Sequence, residues 1–155
     1  MNQQREPDFE DNWRVFDEVV AYTRDLVGSD GTEDLGYVHS GRIRVYDVEP
    51  LNPRARRINV IAEQIFIVTV GDDGGRWELS YTDEDIALAR RIIAATVAGR
   101  VEERRAFGRS RVVVRFEEGE TIGETGYSGC ASLLVPQPGW TRWGERIRYE
   151  PYRSS

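Results

Sequence analysis

The segment Gly126-Tyr127-Ser128-Gly129-Cys130 has nearly the spacing that lifts a serine nucleophile onto a sharp strand-to-helix turn, and the chemistry it would serve is acyl transfer. That motif needs glycine where Cys130 stands and a helix behind it, whereas strand-like sequence flanks this segment on both sides. It reads as a glycine-rich connection or a binding loop. Cys130 would attack only as a thiolate beside a base, and the single histidine, His39, lies ninety-one residues away. One cysteine and one histidine make neither an internal disulfide nor a zinc site. Glu63 and Glu78 stand in apolar surroundings, where a carboxylate must face water or pair with arginine. The chain has no G-x-G-x-x-G, no P-loop and no H-E-x-x-H, and Asp83-Glu84-Asp85 lacks the glycine and closing glutamate of a calcium loop. These residues supply no catalytic constellation and specify no metal or cofactor, so the expectation is a chain that is not an enzyme.

Binding chemistry is better represented. Arg100, Arg104, Arg105, Arg109, Arg111 and Arg115 surround Phe107, yet strand alternation is expected to divide them between two faces, with Glu102 and Glu103 neutralising part of their charge. Nucleic acid is therefore not an expected partner. In Pro136–Gly144 the side chains of Trp140, Arg142 and Trp143 sit in a Pro/Gly-rich loop. Either the rings fold over one end of a sheet together with Tyr149 and Tyr152, or they stay outside as interface anchors, joined by Tyr127 of the glycine-rich loop. A second candidate surface is acidic. Residues 1–35 hold ten Asp/Glu against three Arg, net −7, and the remaining residues are net +1. Glu10, Asp17, Glu18 and Asp25 lie on the outer side of the first helical segment, and Asp30, Glu33 and Asp34 follow it. Such a face suits a basic protein partner, whose encounter it would accelerate.

The elements that must carry these groups follow from periodicity. Between Phe9 and Val27 the residues Trp13, Phe16, Val19, Val20, Thr23, Leu26 and Val27 recur at helical spacing, and Gly28 is the natural stop. Residues 28–34 read as a polar, acidic loop. Strands are expected at Arg42–Tyr46, Gln64–Val70 and Trp77–Tyr81, the last two joined by the five-residue loop Gly71–Gly75, while Glu49–Arg57 reads as a surface connection. A second helix starts at the Thr82 cap and ends before Gly99, with Ile86, Ala89, Ile93 and Val97 in its apolar stripe. Strand-like segments then follow at Val101–Phe107, Arg111–Phe116, Thr121–Thr125, Ala131–Val135 and Arg146–Tyr149. This order predicts an α+β fold of two helices packed on a curved, mainly antiparallel sheet of about six to eight strands. Residues 1–155 are expected to form one domain, with 1–8 expected to be a flexible tail.

Composition agrees with a globular chain of 155 residues able to bury a core without disulfides or metal. All 21 basic residues are arginine, which reads as codon bias in a high-GC bacterium rather than as 21 bidentate sites. No apolar run approaches the roughly 18 to 20 residues of a membrane span and no signal peptide opens the chain, so a cytoplasmic protein with no membrane partner is expected. The segment Gly75-Arg76-Trp77-Glu78-Leu79-Ser80-Tyr81, the helix ending Val97-Ala98-Gly99-Arg100-Val101-Glu102, and the closing Pro138-Gly139-Trp140 to Tyr149-Glu150-Pro151-Tyr152 resemble small proteins of high-GC bacteria, some of which are similar to immunity proteins of polymorphic toxin systems. The resemblance covers residues 60–152 and carries no signature onto particular positions. It implies a protein that binds a cognate toxin and covers its active site. Two other readings stay open: a small enzyme or ligand-binding domain with a pocket between helix and sheet, using Glu63, Glu78 or His39, and a structural subunit of a homodimer.

Overall fold

The structure, a computed structural model, describes residues 9–153, so the expected tail, residues 1–8, lies outside the described residues. Helix α1 spans Phe9–Val27 and turns Phe16, Val19, Val20, Thr23 and Val27 inward, as the three- and four-residue spacing requires. Leu26, expected on the same face, is exposed. Helix α2 spans Asp83–Val97. Its first free backbone groups are met by the Thr82 hydroxyl, which accepts from the Asp85 N–H at 3.3 Å, and three acidic side chains sit at the positive end of its dipole. Gly99 ends it at φ +71°, and a Cβ there would lie 2.3 Å from the Pro151 nitrogen, so only glycine lets the chain turn against the C-terminal segment.

The fold is α+β with antiparallel strands, but the strands divide into two sheets rather than one. The first is a meander of β1 (Gly31–Val38), β2 (Ile43–Pro50), β3 (Ile58–Ala62), β4 (Phe66–Thr69) and β5 (Arg76–Leu79), in that order. The second holds β6 (Val101–Ala106), β7 (Arg109–Arg115), β8 (Thr121–Tyr127) and β9 (Glu145–Arg148) in the order β8-β7-β6-β9. Two local expectations are corrected, and a strand that the sequence reading leaves unassigned is added. Gly31–Val38, which overlaps the expected loop over residues 28–34, is an edge strand paired with β2 along its whole length. It shows no alternation because most of its side chains on both faces are exposed. Ile58–Ala62 is a strand with strict inward alternation of Ile58, Val60 and Ala62. Ala131–Val135 is no strand: residues Cys130–Leu134 form a 3-10 helix, because Gly129 at φ +74° breaks the extended chain and the Ser132 hydroxyl donates back to the Gly129 carbonyl at 2.8 Å. A single helical turn, α3 (Trp140–Trp143), precedes β9.

Helix α1 packs on α2 and β3, and α2 on β5 and β7. Phe16, Val19, Ile58, Val60, Phe66, Val68, Ile92, Ile93, Val112 and Val114 are fully excluded from water, each contributing about 1.5–3 kcal/mol of hydrophobic stabilisation. Polar contacts join the two sheets. The β4–β5 loop lies against β7 and β8: the Gly74 N–H donates to the Ser110 hydroxyl at 2.8 Å, and the N–H groups of Gly75 and Arg76 both donate to Glu124. A Cβ at Gly74 would come within 2.5 Å of the Ser110 carbonyl oxygen, so this close approach requires glycine. Beneath it, Glu103 is completely buried and accepts from the Tyr149 hydroxyl and from Arg105. Asp72 of the loop bridges Arg105 at 3.2 Å and Arg56 at 2.7 Å. Burial, reinforced by the bond to Glu103, pushes the Tyr149 hydroxyl up to about 12.

Candidate protein-binding surface

The most distinctive exposed surface lies at the β6–β7 hairpin tip, Phe107-Gly108, around which residues 128–144 wrap. Arg109, although a charged residue, is buried there and donates to the carbonyls of Ser132 and Val135, with its guanidinium 5.4 Å from the ring centre of Tyr127. Gln137 brackets the hairpin backbone: its amide donates to the Phe107 carbonyl at 2.9 Å, and its Oε1 accepts from the Phe107 N–H at 3.2 Å. Arg104 donates to the Gly144 carbonyl at 3.1 Å, and the Trp143 Nε1–H donates to the Pro138 carbonyl at 2.9 Å. The backbone is thus tied down at several points while its apolar side chains point outward. Leu134 is 83% exposed, Phe107 68%, Trp143 60% and Leu133 59%, and Tyr127 and Val135 are exposed beside them. Large apolar side chains presented together on a held backbone are the ingredients of an interface core, since their ordering cost is met before a partner arrives.

This surface takes in part of what the sequence suggests and adds to it. Tyr127, Arg142 and Trp143 are exposed on it, while Trp140 is half-buried and supports the turn. Of the aromatic residues expected to fold inward, Tyr152 enters the core, donating to the Arg56 carbonyl at 2.8 Å, and Tyr149 is half-buried at the seam. Leu133, Leu134 and Val135 are not among the binding residues the sequence points to, and Phe107 is noted there only among the arginines of its strand. The available signal was the Leu-Leu-Val run directly before Pro136-Gln137-Pro138-Gly139, where no strand partner follows.

The acidic residues do not form one free face. Asp17 pairs with Arg44 at 3.1 Å, Glu18 with Arg14 at 2.8 Å and Arg90 at 3.8 Å, and Asp30 with Arg153 at 3.2 Å. Glu33 takes both its oxygens to Arg24 at 2.8 Å and also accepts from the Tyr46 hydroxyl at 2.7 Å. The Arg24 bonds, then the Tyr46 bond, hold the Glu33 carboxyl below the usual carboxylate range. Glu10, Asp25 and Asp34 are exposed and have no ion-pair partner among the described residues.

The remaining candidates are dispersed. His39, at φ +51°, is exposed in the turn between β1 and β2, and Cys130 is exposed at the start of the 3-10 helix beyond the other sheet. Glu63 is exposed in the β3–β4 turn, and Glu78 is exposed on β5, paired with Arg76 at 3.2 Å. The space between helices and sheet is filled by the core, so these carboxylates face outward rather than into a pocket. Among the described residues no three His, Cys, Asp or Glu side chains converge on a point where a metal ion would sit, and no helix is long and apolar enough to cross a membrane.

The arginines behave differently from expectation. Cross-strand register sets Arg104 opposite Arg111 and Arg146, so these share the outer face of the second sheet, and only Arg105 of the expected group turns inward to Glu103 on the strand pair. Comparison with protein-family models, with curated proteins and with solved structures finds no match for this chain.

Proposed function

We propose that this chain is a protein-binding domain without catalytic activity, an immunity protein that acts in the cytoplasm and neutralises a cognate toxin by covering its active site. The observation that carries the binding reading is the outward-facing cluster Phe107, Tyr127, Leu133, Leu134, Val135 and Trp143 on a backbone held by Arg109 and Gln137. The toxin as partner follows the sequence resemblance over residues 60–152. Arg142, exposed beside Trp143, adds a charged contact at the rim. In this reading the acidic flank plays a smaller part than its composition suggests, because Asp17, Glu18, Asp30 and Glu33 already hold arginines. A basic toxin surface would meet chiefly Glu10, Asp25 and Asp34.

The test is protection from growth arrest when the chain is coexpressed with the product of each neighbouring gene. Coexpression of the wild-type chain is expected to restore growth, and coexpression of Leu134→Asp combined with Trp143→Ala, folded as judged by its melting curve, is expected to fail. Equal protection by both chains overturns the assignment of the surface, and no protection by the wild type overturns the immunity reading.

A further inference from the structure

Apart from the apolar cluster, a groove of about 560 Å³ lies on the outer face of the β8-β7-β6-β9 sheet, toward the α2 end. Its lining includes Arg100, Arg115, Arg146 and Arg148 and a single carboxylate, Glu102. This is a local excess of positive charge on a chain whose net charge is −6. The register explains the convergence. Glu102 on the middle strand faces Val113 on one side and Arg148 on the other, while the Arg115 N–H donates to the Arg100 carbonyl at 2.9 Å, which sets these two residues side by side. Guanidinium-bearing strands therefore flank the groove about 10 Å apart, twice the spacing of neighbouring strands.

Glu102 is shared by three arginines: Arg146 donates to it directly, and Arg104 and Arg148 stand 3.6 and 3.7 Å away. Arg100 and Arg115 have no carboxylate partner among the described residues, and the buried Arg100 Nε finds no acceptor. The groove thus holds more donors than its one glutamate can satisfy. We infer that it binds a short chain of phosphates, either free or carried by a nucleotide. A ligand must draw arginines away from Glu102, which a monoanion does poorly. A phosphate chain brings several charges and several acceptor oxygens per phosphorus, and arginine forks match them two at a time. The free guanidiniums are few and gathered in one groove, which fits such an anion better than an extended polymer.

Binding of inorganic triphosphate and of ATP to the full chain is measured by calorimetry in low salt, with a single-stranded oligonucleotide and an acidic peptide as further arms. Triphosphate is expected to bind, and Arg115→Gln or Arg148→Gln to weaken it about tenfold each. Glu102→Gln, which frees three guanidiniums, is expected to tighten binding by a similar factor, an effect that misfolding does not mimic. Equal affinity for triphosphate and ATP assigns recognition to the phosphate chain alone, and tighter ATP binding adds a contact to the nucleoside. Failure of both anions to bind the wild type and the Glu102→Gln variant overturns the inference. Affinity unchanged by the arginine substitutions does so too. An oligonucleotide or acidic peptide that binds where triphosphate does not replaces it with a polymer-binding face. None of these outcomes depends on the apolar cluster, whose variants serve as controls with unchanged triphosphate affinity.

Discussion

On the flank built by α1 and β1, Asp17, Glu18, Asp30 and Glu33 each hold an arginine, whereas on the outer face of the β8-β7-β6-β9 sheet three arginines share Glu102 and others have no carboxylate. The flank with the larger formal charge is therefore the better neutralised one. The same contrast holds for apolar groups. Around the first sheet and the helices, Phe16, Phe66, Ile92 and Ile93 are sealed from water, while the far end of the second sheet leaves Phe107, Leu133, Leu134 and Trp143 outside. Val112 and Val114 of the second sheet are sealed as well, so the contrast lies between the packed centre of the molecule and the hairpin end of that sheet. Charge counted along the chain tells little about the surface until register and packing have decided which charges meet.

Substitutions at the two kinds of apolar site should separate them most sharply. Phe66→Ala or Ile93→Ala is expected to cost about 3–5 kcal/mol of unfolding free energy, whereas Leu134→Asp should change it by less than about 0.5 kcal/mol, both read from chemical denaturation. A large loss from Leu134→Asp would mean that the cluster belongs to the core. The seam between the halves comes next. Glu103→Ala leaves Arg105 without its buried partner and is expected to cost about 3 kcal/mol, while Tyr149→Phe, which removes one donor, should cost about 1–2 kcal/mol.

The helices were legible because their signals are local. Thr82, the three acids after it and the Ile86, Ala89, Ile93 spacing declare α2 without reference to anything else. β1 was not, since Thr32-Glu33-Asp34 on an edge strand open to water on both faces has no alternation to read, and its partner is fixed only by pairing with β2. The way the two sheets meet depends on Gly74 reaching Ser110 and on Gly75 reaching Glu124 across forty-nine residues, contacts that hydropathy does not encode. For the candidate surface, Trp143 and Tyr127 stood out by residue type, but Leu133–Val135 imitated a strand until Gly129 and Ser132 turned the chain into a 3-10 helix. The arginine face was hidden for another reason. Alternation within one strand separates Arg104 from Arg105, and only the register with β7 and β9 gathers Arg104, Arg111 and Arg146 into a row.

Titration gives smaller effects on both halves. Glu33 and Glu102 are held below the usual carboxylate range, by Arg24 and by Arg146 respectively, so each carboxylate is more stable in the folded chain than in the unfolded one. Their stabilisation is complete above the unfolded value of about 4.3 and is lost as pH falls below it, which an acid titration of the melting temperature should show. Arg24→Gln is expected to flatten part of that loss. Tyr149 has the opposite sign: raised to about 12, it stabilises fully below the ordinary tyrosine value of about 10 and loses that contribution as pH rises toward 12. Tyr149→Phe should remove this alkaline dependence. Smallest of all, Asp17→Asn on the paired flank is expected to shift stability by no more than about 1 kcal/mol, since the Asp17–Arg44 bridge is largely exposed on the acid side.

The most direct measurement is the dissociation constant for the toxin partner, taken with the wild-type chain and with Leu134→Asp, Trp143→Ala, at matched melting temperature. Loss of the exposed anchors is expected to weaken the complex by about 100-fold or more. A change of less than about twofold, with both chains equally folded, would contradict the claim that this ordered apolar cluster is where the partner docks.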